Sequence, residues 1–221
     1  MSMGAALLLL ADGRLPSGGY AHSGGLESAV RMGEVHDTST LEAFLHARAV
    51  SVGLVSGAFA AAAHAAASQP ALLDELDRAL DARMPAAAAR TTSRALGRQL
   101  GRVLRSIHPD PLLENLSHQA HQAIAYGVAA ASLGLATADA ARLMVHETVA
   151  GPAAAAAKVL SVDPFEVHAI LVRLVPVLDE TSRLAAEAAL QDPQDLPAPA
   201  TPLLDVLAEL HAHREVRLFA S

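Results

Sequence analysis

The chain has 221 residues, no cysteine, and 16 Lys+Arg against 23 Asp+Glu, which gives a formal charge of −7. This length predicts one domain with a large core, and a hydrophobic content of 52% excludes a disordered polyelectrolyte. The acidic balance argues against nucleic acid as a partner, and the missing cysteine excludes disulfides, thiolate metal ligands and cysteine nucleophiles.

The apolar fraction consists mainly of alanine with leucine and valine, whereas aromatic residues make up 3% and tryptophan is absent. Such a composition suits close-packed helices better than sheets, which favour β-branched and aromatic residues. We therefore predict an all-α, single-domain bundle over residues 1–221, with about eight to ten helices. An irregular Gly-rich loop is expected near its N-terminus, a Pro-rich connector at residues 191–200 and a C-terminal tail at 214–221.

Helical periodicity and capping signals place the helices along the chain. Ser39 and Glu42 have the spacing of a capping box at the start of a long helix. Gly151-Pro152 is expected to break the chain, because proline lacks a backbone N–H. The predicted helices span residues 40–67, 70–82, 86–107, 112–135, 138–149, 152–160, 164–190 and 202–213.

The segment from residue 49 to 73 contains no Asp, Glu, Lys or Arg and is long enough to span a bilayer. It is nevertheless rich in Ala, Gly and Ser, contains His64 and is interrupted by Pro70. Alanine gains little on transfer to lipid, so we expect no membrane span. No basic residue precedes the apolar run at residues 7–10, so we expect no signal peptide and a cytoplasmic location.

The least ordinary segment is LPSGGYAHSGGLE at residues 15–27, with four glycines between Gly18 and Gly25. Backbone N–H groups of such a loop can hold a phosphate, which leaves a helical enzyme or binding protein for a phosphorylated ligand open. The lysine of a Walker loop is missing, because the only lysine in the chain is Lys158. The other interpretations are a turn into a helix and a partner-facing loop that displays Tyr20 and His22.

A second unusual feature is a row of arginines on about a third of the circumference of the predicted helix 86–107. Like charges at i,i+4 and interior glycines both destabilise an isolated helix, so the row must interact with something. Either acidic residues of the preceding helix neutralise the arginines, or the arginines bind acidic groups of another protein. The arginines are Arg90, Arg94, Arg98, Arg102 and Arg105, and the acidic residues are Asp74, Glu75, Asp77 and Asp81.

Glu114, His118 and His121 have spacings that put three metal ligands on one face if the helix is continuous there. This set suits nickel or zinc but lacks a fourth ligand, so a nickel-binding metallochaperone is one alternative function. No catalytic pattern stands out elsewhere, and we predict neither an enzyme nor a bound cofactor. A purely structural bundle without a dedicated partner also stays open.

Three segments, in order along the chain, resemble motifs of the urease accessory protein UreF family. The first runs from Leu10 to Glu27 and reads LAD-x2-LP-x-GGY-x-HS-x-GLE. The second is Arg90-x2-Ser93-x3-Gly97-Arg98-x-Leu100, and the third is RLFAS at residues 217–221. The segments between these motifs are ordinary alanine-rich helix, and residues 108–119 carry no resemblance.

The resemblance implies a non-enzymatic factor for urease maturation that helps to load nickel into the urease active site. It implies binding to UreD (also called UreH), recruitment of the GTPase UreG, action on the urease apoprotein through that complex, and a homodimer. The tail is expected to serve partner binding, so a chain truncated before Arg217 should still fold. The partner-binding residues predicted from the motifs and the arginine row together are Tyr20, His22, Ser23, Glu27, Arg90, Ser93, Arg94, Gly97, Arg98, Arg217, Leu218, Phe219 and Ser221.

Overall fold

The computed structural model describes residues 3–220, and within this range the chain is helical without a β-strand. This confirms the all-α prediction. Helices α6 and α10 begin within a residue of where their sequences predict, since Ala86 precedes the first and the Asp163 side chain caps the second. The helices are α1 Met3–Leu10, α2 Leu26–Arg31, α3 Thr38–Arg48, α4 Leu54–Ala65, α5 Pro70–Asp81, α6 Ala87–Ile107, α7 Pro111–Glu114, α8 Gln122–Ser132, α9 Thr137–Val159, α10 Pro164–Ala188 and α11 Pro202–Ala212.

A π-helical turn at Ala49–Gly53 joins α3 and α4 into one continuous helix. Asp37 caps its start, because the Asp37 carboxylate accepts from the Thr40 amide at 2.8 Å. The Thr40 hydroxyl in turn accepts from the Asp37 amide at 3.1 Å, which completes a capping box. The capping box therefore consists of Asp37 and Thr40, so the predicted pair of Ser39 and Glu42 was wrong by two residues.

The joined helix α3–α4 is long and apolar enough to cross a membrane by length and composition alone. Half of its most apolar window is buried inside the molecule, and α4 packs against α8, α9 and α10. This burial is typical of the central helix of a packed core. It therefore gives only weak evidence for a membrane span.

Glycine lets the helices around α4 approach closely. A Cβ atom on Gly127 of α8 would collide with the carbonyl oxygen of Ala60 and lie 2.8 Å from the Ala63 Cβ. A Cβ on Gly57 of α4 would lie 2.8 Å from a methyl group of Val145 on α9. Both helix pairs therefore cross at distances that only glycine permits, as the composition indicated.

Helix α9 continues through Gly151-Pro152, so the predicted break was wrong. The proline ring leaves the Thr148 carbonyl without its helical donor. Arg48 of α3 supplies one, because its Nε donates to the Thr148 oxygen at 3.0 Å. A side chain 100 residues away in sequence thus repairs the helix at the position where local rules would end it.

The predicted helix 112–135 is divided, because α7 ends at Glu114 and α8 begins after His121. Hydrogen bonds to other parts of the molecule hold residues 115–121 in a loop. The Asn115 side-chain amide donates to the Ala67 carbonyl at 3.0 Å, and the Asp77 carboxylate accepts from the His121 amide at 2.8 Å. The second contact pairs a backbone amide that a continuous helix would have used internally, and the first ties the loop to the end of α4.

Candidate partner-binding site

The Gly-rich loop turns twice through backbone conformations that favour glycine. Gly18 has φ of 88° and Gly25 has φ of 91°, and each immediately precedes a helical turn. The short 3₁₀ turn between them, Gly19–Ala21, displays Tyr20 with 72% of its surface exposed. The loop is therefore a defined turn that presents one aromatic side chain to solvent.

Several backbone N–H groups of this loop are already used inside it. The amides of Ala21 and His22 donate to the carbonyls of Gly18 and Gly19, each at 3.1 Å. The Glu27 amide donates to the Ser23 hydroxyl at 3.3 Å, and Ser23 is buried. These amides do not point into a cradle for an anion, so the hypothesis of a phosphorylated ligand at Gly18–Gly25 gains no support.

Glu27, at the start of α2, is fully buried and binds the C-terminal tail. Its carboxylate accepts from the backbone amides of Leu218 at 3.2 Å and Phe219 at 3.1 Å. Arg31, one turn further along α2, donates to the same carboxylate at 2.9 Å. Burial raises the pKa of Glu27, but the hydrogen bonds from Leu218, Phe219 and Arg31 and the charge of nearby His211 together outweigh this effect, so the pKa lies below its ordinary value.

The tail lies against the Gly-rich loop through a second set of contacts. The Ala220 amide donates to the Ala21 carbonyl at 2.7 Å, and the His211 ring is hydrogen-bonded to the Phe219 carbonyl at 3.1 Å. The Phe219 side chain is buried beneath the Lys158 ammonium group, which lies 5.8 Å from the ring centroid. Phe219 is thus part of the core. Ser221 lies outside the described residues.

Two neighbours of these contacts remain on the surface, since Arg217 and Leu218 are exposed. His22 is half-buried, and its burial together with the nearby His211 lowers its pKa. The structure therefore places the first and last motifs side by side. Tyr20, Arg217 and Leu218 point outward, whereas Glu27 and Phe219 hold the two segments together from inside.

Arg48 is a residue that sequence reasoning missed. Its Nη1 donates to the Gly24 carbonyl at 2.6 Å while its Nε binds Thr148, so one guanidinium fixes both α9 and the Gly-rich loop. Burial lowers the pKa of Arg48 to about 10. The signal in the sequence was its isolation, because Arg48 is the only Asp, Glu, Lys or Arg between Glu42 and Asp74.

The arginine row on α6 is used largely inside the molecule. Arg94 binds Asp77 at 2.9 Å and Asp81 at 2.7 Å, and Arg90 lies 3.8 Å from Asp81. This arrangement favours neutralisation by the preceding helix for Arg90 and Arg94. Arg98 is exposed and donates to the Gln119 side chain at 2.9 Å.

Ser93 and Gly97 hold the 115–121 loop against α6. The Ser93 hydroxyl accepts from the Gln122 amide at 3.2 Å and is hydrogen-bonded to the His121 ring at 3.0 Å. A Cβ on Gly97 would collide with the Ala120 carbonyl oxygen. The second motif is thus mainly a clamp for this loop, and within it Arg98 remains accessible to a partner.

The metal face of the alternative metallochaperone hypothesis does not form, because α7 ends at Glu114 and the two histidines follow in the loop. Glu114 and His118 are exposed, whereas His121 is fully buried with its ring 3.0 Å from Asp81. Burial lowers the pKa of His121. Among residues 3–220, no three His or carboxylate side chains are arranged to hold one metal ion.

Comparison with known proteins gives matches along the whole chain. A sequence profile of the UreF family matches residues 35–175. The chain is 44% identical to the urease accessory protein UreF of Mycolicibacterium vanbaalenii over 221 residues, which is 100% of both chains. It is 43% identical to the UreF of Mycobacterium sp. strain JLS over 97% of both chains, and 41% identical to that of Mycobacterium tuberculosis over 98% of both. The first of these alignments includes both the Gly-rich loop and the tail.

Proposed function

Because the chain belongs to the UreF family of urease accessory proteins, we propose that it is a non-catalytic scaffold for urease maturation in the cytoplasm. In this proposal a homodimer of the chain binds UreD and, through that complex, recruits the GTPase UreG to the urease apoprotein. Nickel is the cargo delivered to urease, and UreG supplies GTP hydrolysis. The resemblance of the three motifs implies these partners.

The observation that supports a scaffold is the joining of the first and last motifs into one surface. Tyr20, Arg217 and Leu218 are exposed. Glu27 fixes the tail backbone from below, and the Ala220 amide joins the tail to Ala21 of the loop. An aromatic residue and an arginine on a fixed backbone are favourable anchors, because little chain entropy is lost on binding. We name Tyr20, Arg217, Leu218 and Ala21 the loop–tail surface.

The test is co-purification with tagged UreD and UreG, with and without GTP and nickel. Tyr20→Ala and Leu218→Ala are expected to reduce recovery of the partners at least tenfold, about 1.4 kcal/mol of binding free energy. Leu190→Ala is the matched control, since Leu190 is 91% exposed and lies beyond the end of α10. Normal recovery of both partners by a variant that carries Tyr20→Ala and Leu218→Ala together would refute the role of the loop–tail surface.

A further inference from the structure

A cleft of about 430 Å³ lies beside the Gly-rich loop, and the proposed scaffold function assigns it no occupant. Residues 11–20 form one side, and the middle of α9 and the start of α10 form the other. Its walls on α9 are methyl groups, since Ala150, Ala153, Ala154 and Ala157 line it. These walls suit a hydrocarbon chain and give it no hydrogen-bond partners.

One carboxyl group on α9 interrupts this apolar wall. Glu147 lines the cleft one turn before the alanines, and its carboxyl group is hydrogen-bonded to Tyr126. Burial raises the pKa of Glu147 to about 7, and the contact with Tyr126 only partly offsets that effect. None of the ion pairs among residues 3–220 includes Glu147.

The cations nearest in sequence are engaged elsewhere. Arg142, five residues earlier on α9, binds Asp139 at 2.7 Å, and Lys158 lies over Phe219. Arg14 binds Asp12 at 2.9 Å. The other titratable groups that face the cleft are Asp12, Tyr20, Tyr126, His146 and His168. Burial lowers the pKa of His146, so this histidine supplies little positive charge at neutral pH.

We propose that this cleft receives an arginine or lysine side chain of a partner protein, with its methylene stem against the alanines and its charged end at the Glu147 carboxylate. Long basic side chains bury their stems on apolar surface while their charged ends seek an acceptor. A cation at Glu147 stabilises the carboxylate, so insertion releases a proton from the fraction of Glu147 that is protonated. The cleft is continuous with the loop–tail surface, because Gly19 and Tyr20 also line it.

The experiment uses n-butylguanidinium as a probe for the basic side chain. It is titrated into the full-length protein with ¹³C-labelled glutamate, and the Glu147 carboxyl resonance is followed by NMR. Because the carboxylate is the binding form, affinity is expected to rise about tenfold between pH 6 and pH 8. Glu147→Gln is expected to abolish saturable binding, whereas the exposed control Glu166→Gln should bind the probe normally.

Three results would overturn the proposal. One is the absence of saturable binding to a wild-type protein whose circular dichroism shows it to be folded. Another is equal binding of the probe to wild-type protein and Glu147→Gln, or binding of the neutral analogue n-pentanol to wild-type protein as tightly as the cationic probe. The third is a shift of the Glu147 resonance with protein concentration alone, which would assign the occupant to a second copy of this chain. The probe needs no partner protein, so failure here is separate from failure of the proposed scaffold function.

Discussion

Replacing Glu27 with glutamine tests whether the buried carboxylate joins the tail to the Gly-rich loop. The substitution keeps the shape of the side chain but removes its charge and turns one acceptor oxygen into an N–H₂ donor. Both oxygens accept from tail amides, and Arg31 also donates to one of them, so either orientation of the new amide opposes a donor. A control is Glu34→Gln, since Glu34 is exposed just beyond the end of α2.

The expected loss follows from the number and type of bonds affected. A hydrogen bond to a charged group contributes about 1 kcal/mol more than a neutral one, so three donors predict a loss of about 3 kcal/mol. The loss of stability cannot exceed the free energy of detaching the whole tail, which is of similar size. The tail gains about 1.5–3 kcal/mol from burying Phe219 and about 1 kcal/mol from the hydrogen bond between Ala220 and Ala21. The control should change stability by less than about 0.5 kcal/mol.

Urea denaturation measures the loss, and amide hydrogen exchange locates it. We expect the Leu218 and Phe219 amides to lose protection in Glu27→Gln while the amides of α4 keep theirs. The pKa of Glu27 is lowered by folding from an ordinary value of 4.5, so its contribution is present above that pH and is lost as pH falls further. The stability of wild type should therefore decline more than that of the variant between about pH 5 and pH 3. Equal stability and equal tail protection at neutral pH would refute this account of the tail.

Three further predictions concern contacts inside the fold, each read from thermal or urea unfolding. Gly127→Ala should destabilise the protein by about 3 kcal/mol, because α4 and α8 must separate to make room for the new methyl group. Gly13→Ala should be neutral, since its Cβ meets nothing within 4 Å. Equal effects of the two substitutions would contradict close packing of α4 against α8. Arg48→Lys should cost about 1–3 kcal/mol, since lysine cannot reproduce the forked contacts; an unchanged midpoint would count against that role. Arg94→Ala should lower the free energy of unfolding by about 1–2 kcal/mol, because Arg94 binds two carboxylates, whereas Arg102→Ala, at an exposed site, should change it almost not at all. A larger loss for Arg102→Ala than for Arg94→Ala would contradict neutralisation of the arginine row by the preceding helix.

Local signals in the sequence were sufficient for most helices. Pro70 starts α5 as predicted, and Asp163 caps α10 ahead of Pro164. In these cases the residues that start the helix lie within one turn of it, so a short window contains the relevant physics. The alanine and glycine content likewise indicated the close helix packing seen at Gly127.

The errors arose where a distant residue supplies a hydrogen bond. Pro152 does not end α9, because Arg48 binds the carbonyl that the proline leaves free. Residues 115–121 do not continue α7, because their polar groups bind Ala67, Asp77 and α6. These hydrogen-bond partners cannot be identified from the residues around Pro152 or within 115–121, because a short stretch of sequence does not indicate which distant groups will pack against it.

The candidate site shows the same division between local and distant information. The three motifs located the segments, but they did not separate Tyr20, which is exposed, from Glu27 and Phe219, which are buried. In the arginine row, the sequence left both internal and external roles open, and Arg94 takes the internal one. The tail was expected to be dispensable for folding, whereas its backbone amides satisfy a buried carboxylate. That expectation stays a prediction, and the hydrogen bonds argue for a stability cost on truncation.

The bond between Glu27 and the tail also has a consequence for synthesis of the chain. Its donors are 191 and 192 residues further along the sequence, so α2 leaves the ribosome long before the amides that complete it. Contacts of such large sequence separation form late, and until then a carboxylate destined for the interior remains hydrated. The loop–tail surface is therefore assembled only on chains translated through Ala220. A prematurely terminated chain would lack this surface and would not present it to a partner.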